Sequence, residues 1–219
     1  MKRLLAAVCL TTLVGAAGPA SAQLRADAAI EGVARSRFLG ARPEGGSNAG
    51  PGAGLEVTGH VALVPLVRLG VYAGAEVSPQ GDAAARRIYT YGLSARLASP
   101  WPNGDLHAWL FTGLGYASVV APGYEATQKT SAATAGSAVR VAPAGGGFLE
   151  VPLGIGVGYK LWRPVEILAE VGGSLAFGAS GSLYAARPFT DSLQQTGLLP
   201  SAGVDRGAVF LRIGAGIDF

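Results

Sequence analysis

The chain has 219 residues, 14% of them charged, a formal net charge of +3 and a mean hydropathy of +0.35. Ordinary soluble domains carry about 25% charged residues, so this surface is hard to coat with charge, yet no stretch of about 18 uninterrupted apolar residues offers a membrane helix. Leaving aside Lys2 and Arg3, 17 Lys+Arg fall to 15 against 14 Asp+Glu, with no basic cluster, so no nucleic-acid partner is expected.

Met1-Lys2-Arg3 is a basic start, residues 4–14 are a short apolar core, and Ala20-Ser21-Ala22 is a small-residue cleavage motif. That is the pattern of a secretory signal peptide over residues 1–22. Residues 23–219 are then one mature domain. Cys9 is the one cysteine and leaves with the leader, so neither a disulfide framework nor thiol chemistry is expected.

Eight strands are predicted, because side chains alternate between faces with period two. The first, residues 28–39, sets Ile30, Gly32 and Ala34 against Glu31, Arg35 and Arg37. The second, residues 55–64, sets Leu55, Val57, Val61 and Leu63 against Glu56, Thr58 and His60, and residues 65–68 form a turn. The third, residues 69–77, has Leu69, Val71, Ala73 and Ala75 opposite Tyr72 and Glu76. The fourth, residues 88–98, has Tyr89, Tyr91, Leu93 and Leu97 opposite Thr90, Ser94 and Arg96. Residues 100–105 are dense in turn formers.

The fifth strand, residues 106–120, is ambiguous in facing, since both faces are mostly apolar. In the sixth, residues 149–161, Leu149, Val151, Leu153, Ile155, Val157, Tyr159 and Leu161 oppose Glu150, Pro152, Gly154, Gly156, Gly158 and Lys160. Trp162-Arg163-Pro164 turns the chain into the seventh strand, residues 165–177, where Ile167, Val171, Leu175 and Phe177 oppose Glu166, Glu170 and Ser174. The eighth is the C-terminal run, with Val209, Leu211, Ile213, Ala215, Ile217 and Phe219 opposite Phe210, Arg212, Gly214, Gly216 and Asp218. Links after strands two, four and six read as short. Those after one, three, five and seven read as long, and residues 127–144 look mobile.

Eight alternating strands with short turns on one side and long loops on the other predict an all-β fold, an eight-stranded antiparallel up-and-down transmembrane β-barrel. A soluble barrel with an apolar cavity shows the same alternation. Small glycines between isolated charges suit a crowded interior better than a wet exterior.

The C-terminal run resembles the assembly signal of bacterial outer-membrane barrels, in which a terminal aromatic follows apolar residues at every second position. With the paired sixth and seventh strands around Trp162-Arg163-Pro164, it makes the mature chain similar to the eight-stranded outer-membrane barrel superfamily of OmpA-, OmpX- and OmpW-like proteins, without a peptidoglycan-binding domain. The resemblance implies residence in the outer membrane of a Gram-negative cell and contact with outer-membrane lipid and lipopolysaccharide. It implies insertion by the barrel-assembly machinery reading Phe219, Ile217, Ile213 and Leu211. Trp101 and Trp162 would sit at the membrane interface.

No cofactor, metal ligand set or catalytic residue is expected. The glycines of residues 154–160 match neither nucleotide-loop spacing, and neither His60 nor His107 has metal ligands at short spacing. A lumen charge network is expected from Glu56, Glu76, Arg96, Glu150, Lys160, Glu166, Glu170 and Arg212. Buried charges must be paired, and eight strands enclose little free volume. The expected function is therefore a structural or surface-interaction barrel with a closed polar lumen and an unknown extracellular partner. A narrow channel for small or apolar solutes, or a lipid-modifying enzyme, is the alternative.

Overall fold

The computed structural model describes residues 25–40, 51–80, 83–99, 104–127, 138–185, 187–191, 196–199 and 204–219. The expected leader and cleavage motif, Trp101 and most of the segment expected to be mobile lie outside these residues.

Among the described residues the chain forms β1 (Ala26–Gly40), β2 (Gly52–Val64), β3 (Val67–Gln80), β4 (Ala83–Ala98), β5 (Leu106–Ala121), β6 (Tyr124–Thr127), β7 (Ala138–Val141), β8 (Ala144–Trp162), β9 (Val165–Ser180), β10 (Arg187–Asp191), β11 (Thr196–Leu199) and β12 (Val204–Asp218). Eight of them close an antiparallel barrel in the order β1-β12-β9-β8-β5-β4-β3-β2. The first and last strands pair from Asp27 opposite Asp218 to Gly40 opposite Val204. The Phe219 N–H donates to the Ala26 carbonyl at 2.8 Å, tying both ends of the wall together. This is the terminal end of the barrel, and the opposite one is the loop end.

Alternation along each strand sorts side chains to the two faces. On β8, Leu153 is 64% exposed and Glu150 is 1% exposed. On β12, Ile213 is 57% exposed and Arg212 is 4% exposed. The apolar residues therefore face out and the charges face in, the reverse of a soluble domain.

β5 settles the ambiguous facing. Trp109, Phe111, Ala117 and Val119 are buried inside, whereas Leu110, Leu114 and Tyr116 face out. The glycines of β8 make room for the inward rings, since Phe111 lies opposite Gly154, Trp109 opposite Gly156 and His107 opposite Gly158. A Cβ on Gly154 would stand 2.5 Å from Phe111 Cζ, and one on Gly156 would strike the Trp109 indole. Glycine in a strand interior marks such a close approach.

Three expectations need correction. The turn after β2 is confined to Pro65 and Leu66, so Arg68 belongs to β3. The third link is not long, because β3 runs to Gln80 and β4 begins at Ala83, past a register shift between Ser78 and Gln80. Pro79 sits in that irregularity, where a residue without an N–H is tolerated. The segments after β5 and β9 are not plain loops. They contribute β6, β7, β10 and β11 to a four-stranded sheet in the order β11-β10-β7-β6.

Candidate functional site

The lumen holds a chain of ion pairs whose signs alternate from one end to the other. At the terminal end, Lys160 Nζ lies 3.1 Å from Asp218 Oδ2, and Asp218 Oδ1 lies 3.5 Å from Arg68. Arg68 also pairs with Asp27. Asp27 meets Arg96 at 3.3 Å, Arg96 meets Glu170 at 2.9 Å, and Glu170 meets Arg212 at 2.9 Å. Arg212 reaches Glu56 at 3.0 Å, and Glu56 reaches Arg35 at 3.6 Å. Arg35 and Arg37 then share Glu76 and Glu150 at 3.1–3.5 Å.

The members come from β1, β2, β3, β4, β8, β9 and β12, so the chain crosses the lumen as well as running along it. Seven of the eight expected lumen charges belong to it. Glu166 stands apart, with its carboxylate 3.2 Å from His107 Nε2. Glu31 is buried with neither carboxylate oxygen hydrogen-bonded and its closest cation, Arg96, at 3.9 Å.

Inward aromatic rings cover the guanidinium faces. Arg96 lies 5.0 Å over Trp109, Arg212 lies 4.3 Å over Phe210, and Arg37 lies 5.4 Å over Phe148. The Trp109 indole N–H also donates to Glu170 Oε1 at 2.9 Å. Cation–π contacts and charge-assisted hydrogen bonds offset part of the cost of holding these charges away from water.

One constellation was invisible in the chain. Ser94 Oγ is 2.8 Å from His60 Nε2, and His60 Nδ1 is 3.0 Å from Asp27 Oδ1. A carboxylate only accepts, so Nδ1 carries a proton, and in the neutral ring Nε2 accepts from the Ser94 hydroxyl. These are the contacts of a serine nucleophile relay. The partners lie on β4, β2 and β1, so no short spacing announces them. Asp27 is shared with Arg68 and Arg96. The space beside Ser94 and His60 is a cavity of about 20 Å³. That is room for about one water and none for an acyl substrate.

At the loop end an apolar cap lies over the charges. A 3-10 turn at Ser182–Tyr184 follows Gly181, whose φ of 112° is open to glycine. It places Leu183 among Ile88, Val119 and Phe148. The Ser182 hydroxyl bonds to both N and O of Gly145 at 3.2 Å. Below the cap, the Tyr184 hydroxyl donates to Asp205 Oδ2 at 3.0 Å, and Arg86 meets the same oxygen at 3.1 Å. Burial, reinforced by the Asp205 carboxylate, raises the Tyr184 pKa, so the hydroxyl keeps its proton.

The sheet beyond the cap forms a cleft of about 660 Å³, lined in part by Tyr124, Glu125, Arg140, Val141, Phe189 and Thr190. The volume is in the range of small-molecule pockets. Arg140 and Glu125 pair at its rim at 3.1 Å, both well exposed.

The outer wall is aliphatic around its middle, with Leu55, Leu93, Leu110, Leu153, Ile155 and Ile213 exposed. Phe38, Tyr89, Tyr116 and Phe177 stand out toward the loop end, and Tyr159, Trp162 and Phe219 at the terminal end. Leu211, Ile213 and Ile217 lie on the same outward face as Phe219.

No protein-family model matches the chain, and no curated protein matches it. Solved structures do. A major outer membrane protein from Thermus thermophilus is 17% identical with a TM-score of 0.55, over 89% of this chain and 99% of that one. Neisserial surface protein A is 14% identical with a TM-score of 0.50, over 90% of this chain and 97% of that one. The chain thus has the closed antiparallel barrel fold of eight-stranded outer-membrane proteins. At these identities the likeness concerns the fold.

Proposed function

We propose that the protein is a closed outer-membrane barrel that serves as a structural scaffold and presents its loop-end sheet to an extracellular partner. The observation that carries the closed lumen is the unbroken ion-pair chain from Lys160 to Arg37. A solute crossing the barrel would have to break several desolvated pairs together, and breaking one such pair costs about 3–5 kcal/mol. The outward aliphatic belt between two aromatic tiers supports the membrane assignment, because that is how such barrels meet lipid. On this reading the wall contacts outer-membrane lipid and lipopolysaccharide, and the leader takes the chain across the inner membrane. Trp162 marks the periplasmic interface. The barrel-assembly machinery reads Phe219, Ile217, Ile213 and Leu211. The Ser94–His60–Asp27 relay is a lumen hydrogen-bond chain without turnover, since it faces a one-water cavity.

Planar-bilayer recording tests the closed lumen. Pure protein should give no steady conductance, and neutralising Glu150, Glu170, Lys160 or Arg212 should introduce it. Steady, reproducible conductance from the unmodified protein would overturn the reading in favour of a narrow channel.

A further inference from the structure

Arg86 and Arg87 follow each other in β4 and point to opposite sides of the wall. Arg86 is buried against Asp205, whereas Arg87 is exposed on the outer face. The register places Arg87 between Val77 of β3 and Val120 of β5. No acidic residue pairs with it among the described residues, although every inward arginine of the barrel has such a partner.

Directly toward the middle of the wall from Arg87, at the next two outward positions of β4, stand Tyr89 and Tyr91. Tyr116 of β5 lies opposite Tyr91, with the two rings 5.8 Å apart. The three tyrosines are 36–53% exposed, and none of their hydroxyls bonds to another described residue. The arrangement is one-sided. Among the described residues β2, β3 and β12 show no outward aromatic, and β1 shows Phe38 alone.

We propose that Arg87, Tyr89, Tyr91 and Tyr116 form a binding site for the phosphorylated headgroup of a glycolipid in the outer leaflet. The inference rests on the membrane reading above. An arginine among valines on a lipid-facing wall lays its stem along apolar surface and carries its guanidinium to the polar level. There its planar fork matches a phosphate bidentately. The tyrosines below it lie at the depth where a glycolipid has its sugar hydroxyls and the linkages of its chains. Their rings pack on apolar matter while their hydroxyls serve those polar atoms. An unpaired cation above Tyr89 and Tyr91, with the Tyr116 ring packed beside Tyr91 and its hydroxyl over Gly147 of β8, complements a headgroup that is anionic above and hydrogen-bonding below.

The test titrates the mature protein, folded in detergent, with diphosphorylated lipid A and counts bound lipid by native mass spectrometry. Arg87→Gln should weaken binding about tenfold, the scale of a lost charge-assisted pair. Tyr91→Leu should weaken it several-fold. Arg206→Gln serves as the control, because Arg206 is also exposed near the loop end but on β12, which shows no outward aromatic. It should change binding less than twofold. Equal losses from Arg87→Gln and Arg206→Gln would reduce the effect to rim charge and overturn the site. So would an unmodified protein that folds but retains no lipid A, or complete displacement by excess inorganic phosphate. Heat-dependent gel mobility reports folding separately. Failure of the unmodified chain to fold in detergent would sink the membrane reading itself, and this site with it.

Discussion

Arg212 of β12 and Glu170 of β9 stand directly opposite each other in the strand register and meet at 2.9 Å. Glu170 also accepts from Arg96 and from the Trp109 indole. One carboxylate thus joins β4, β5, β9 and β12 across the lumen. Glu170→Ala should destabilise the barrel by up to about 3–5 kcal/mol, because it takes a shared carboxylate from two buried guanidinium groups and leaves Arg96 to Asp27 and Arg212 to Glu56. Urea refolding titrations in lipid vesicles measure this. Replacing Glu170 and Arg212 together by Met should cost clearly less than the sum of the single changes. Strict additivity would show that the two do not act as a unit.

The tight fit of Trp109 to Gly156 gives a second expectation. Gly156→Val should overpack the lumen and cost at least about 1–3 kcal/mol. Pairing it with Trp109→Ala should recover part of the loss, since the indole is what the new side chain meets. A double variant no better than the sum would place the clash elsewhere.

A charge on the outer wall should be expensive. Ile155→Arg and Ile213→Arg are each expected to cost about 2–4 kcal/mol in vesicles if they lie near the bilayer midplane. Arg140→Gln, at a residue 80% exposed in the loop-end sheet, should stay within about 0.5 kcal/mol. Comparable effects at all three sites would contradict the assignment of faces.

How far the sequence reached can be judged from particular residues. Period-two alternation fixed the face of Glu150, Glu170 and Arg212, because a one-residue slip would expose all of them. It could not fix strand ends. Asp27, Arg86 and Asp205 all face the lumen, yet lie one to four residues outside the expected strands. Near the loop end the outward residue of β4 is small at Ala85, so the apolar signal fades although the ladder continues. Strand five was ambiguous for a physical reason. Its inward rings are apolar because they cover arginines, and that purpose appears only across the barrel. The Ser94–His60–Asp27 relay and the loop-end sheet depend on contacts between distant segments, which periodicity does not carry.

The terminal residue bears on biogenesis. Deleting Phe219 removes two backbone hydrogen bonds with Ala26, a loss of about 1 kcal/mol each, so folding into detergent should change only modestly. Insertion into the outer membrane of living cells should fall sharply. Normal insertion of the truncated chain would remove the assembly role proposed for this end.

The loop-end sheet should be dispensable to the barrel. Removing residues 124–141 leaves Ala121 opposite Ala144 in the β5–β8 ladder. The shortened protein should keep a β-rich circular dichroism spectrum and heat-dependent gel mobility. Loss of either would show that the sheet supports the wall.

The ion-pair chain also constrains the order of events during folding. Asp27, Arg35 and Arg37 enter on β1, whereas Arg212 arrives on β12, at the far end of the sequence. An open sheet missing either edge leaves unlike charges without their counterions, and they keep their hydration until the edges meet. Seam closure and dehydration of the lumen therefore form a single cooperative step. A half-zipped wall would be the high point of the path, because it has begun to shed water and has not yet gained the opposing charges.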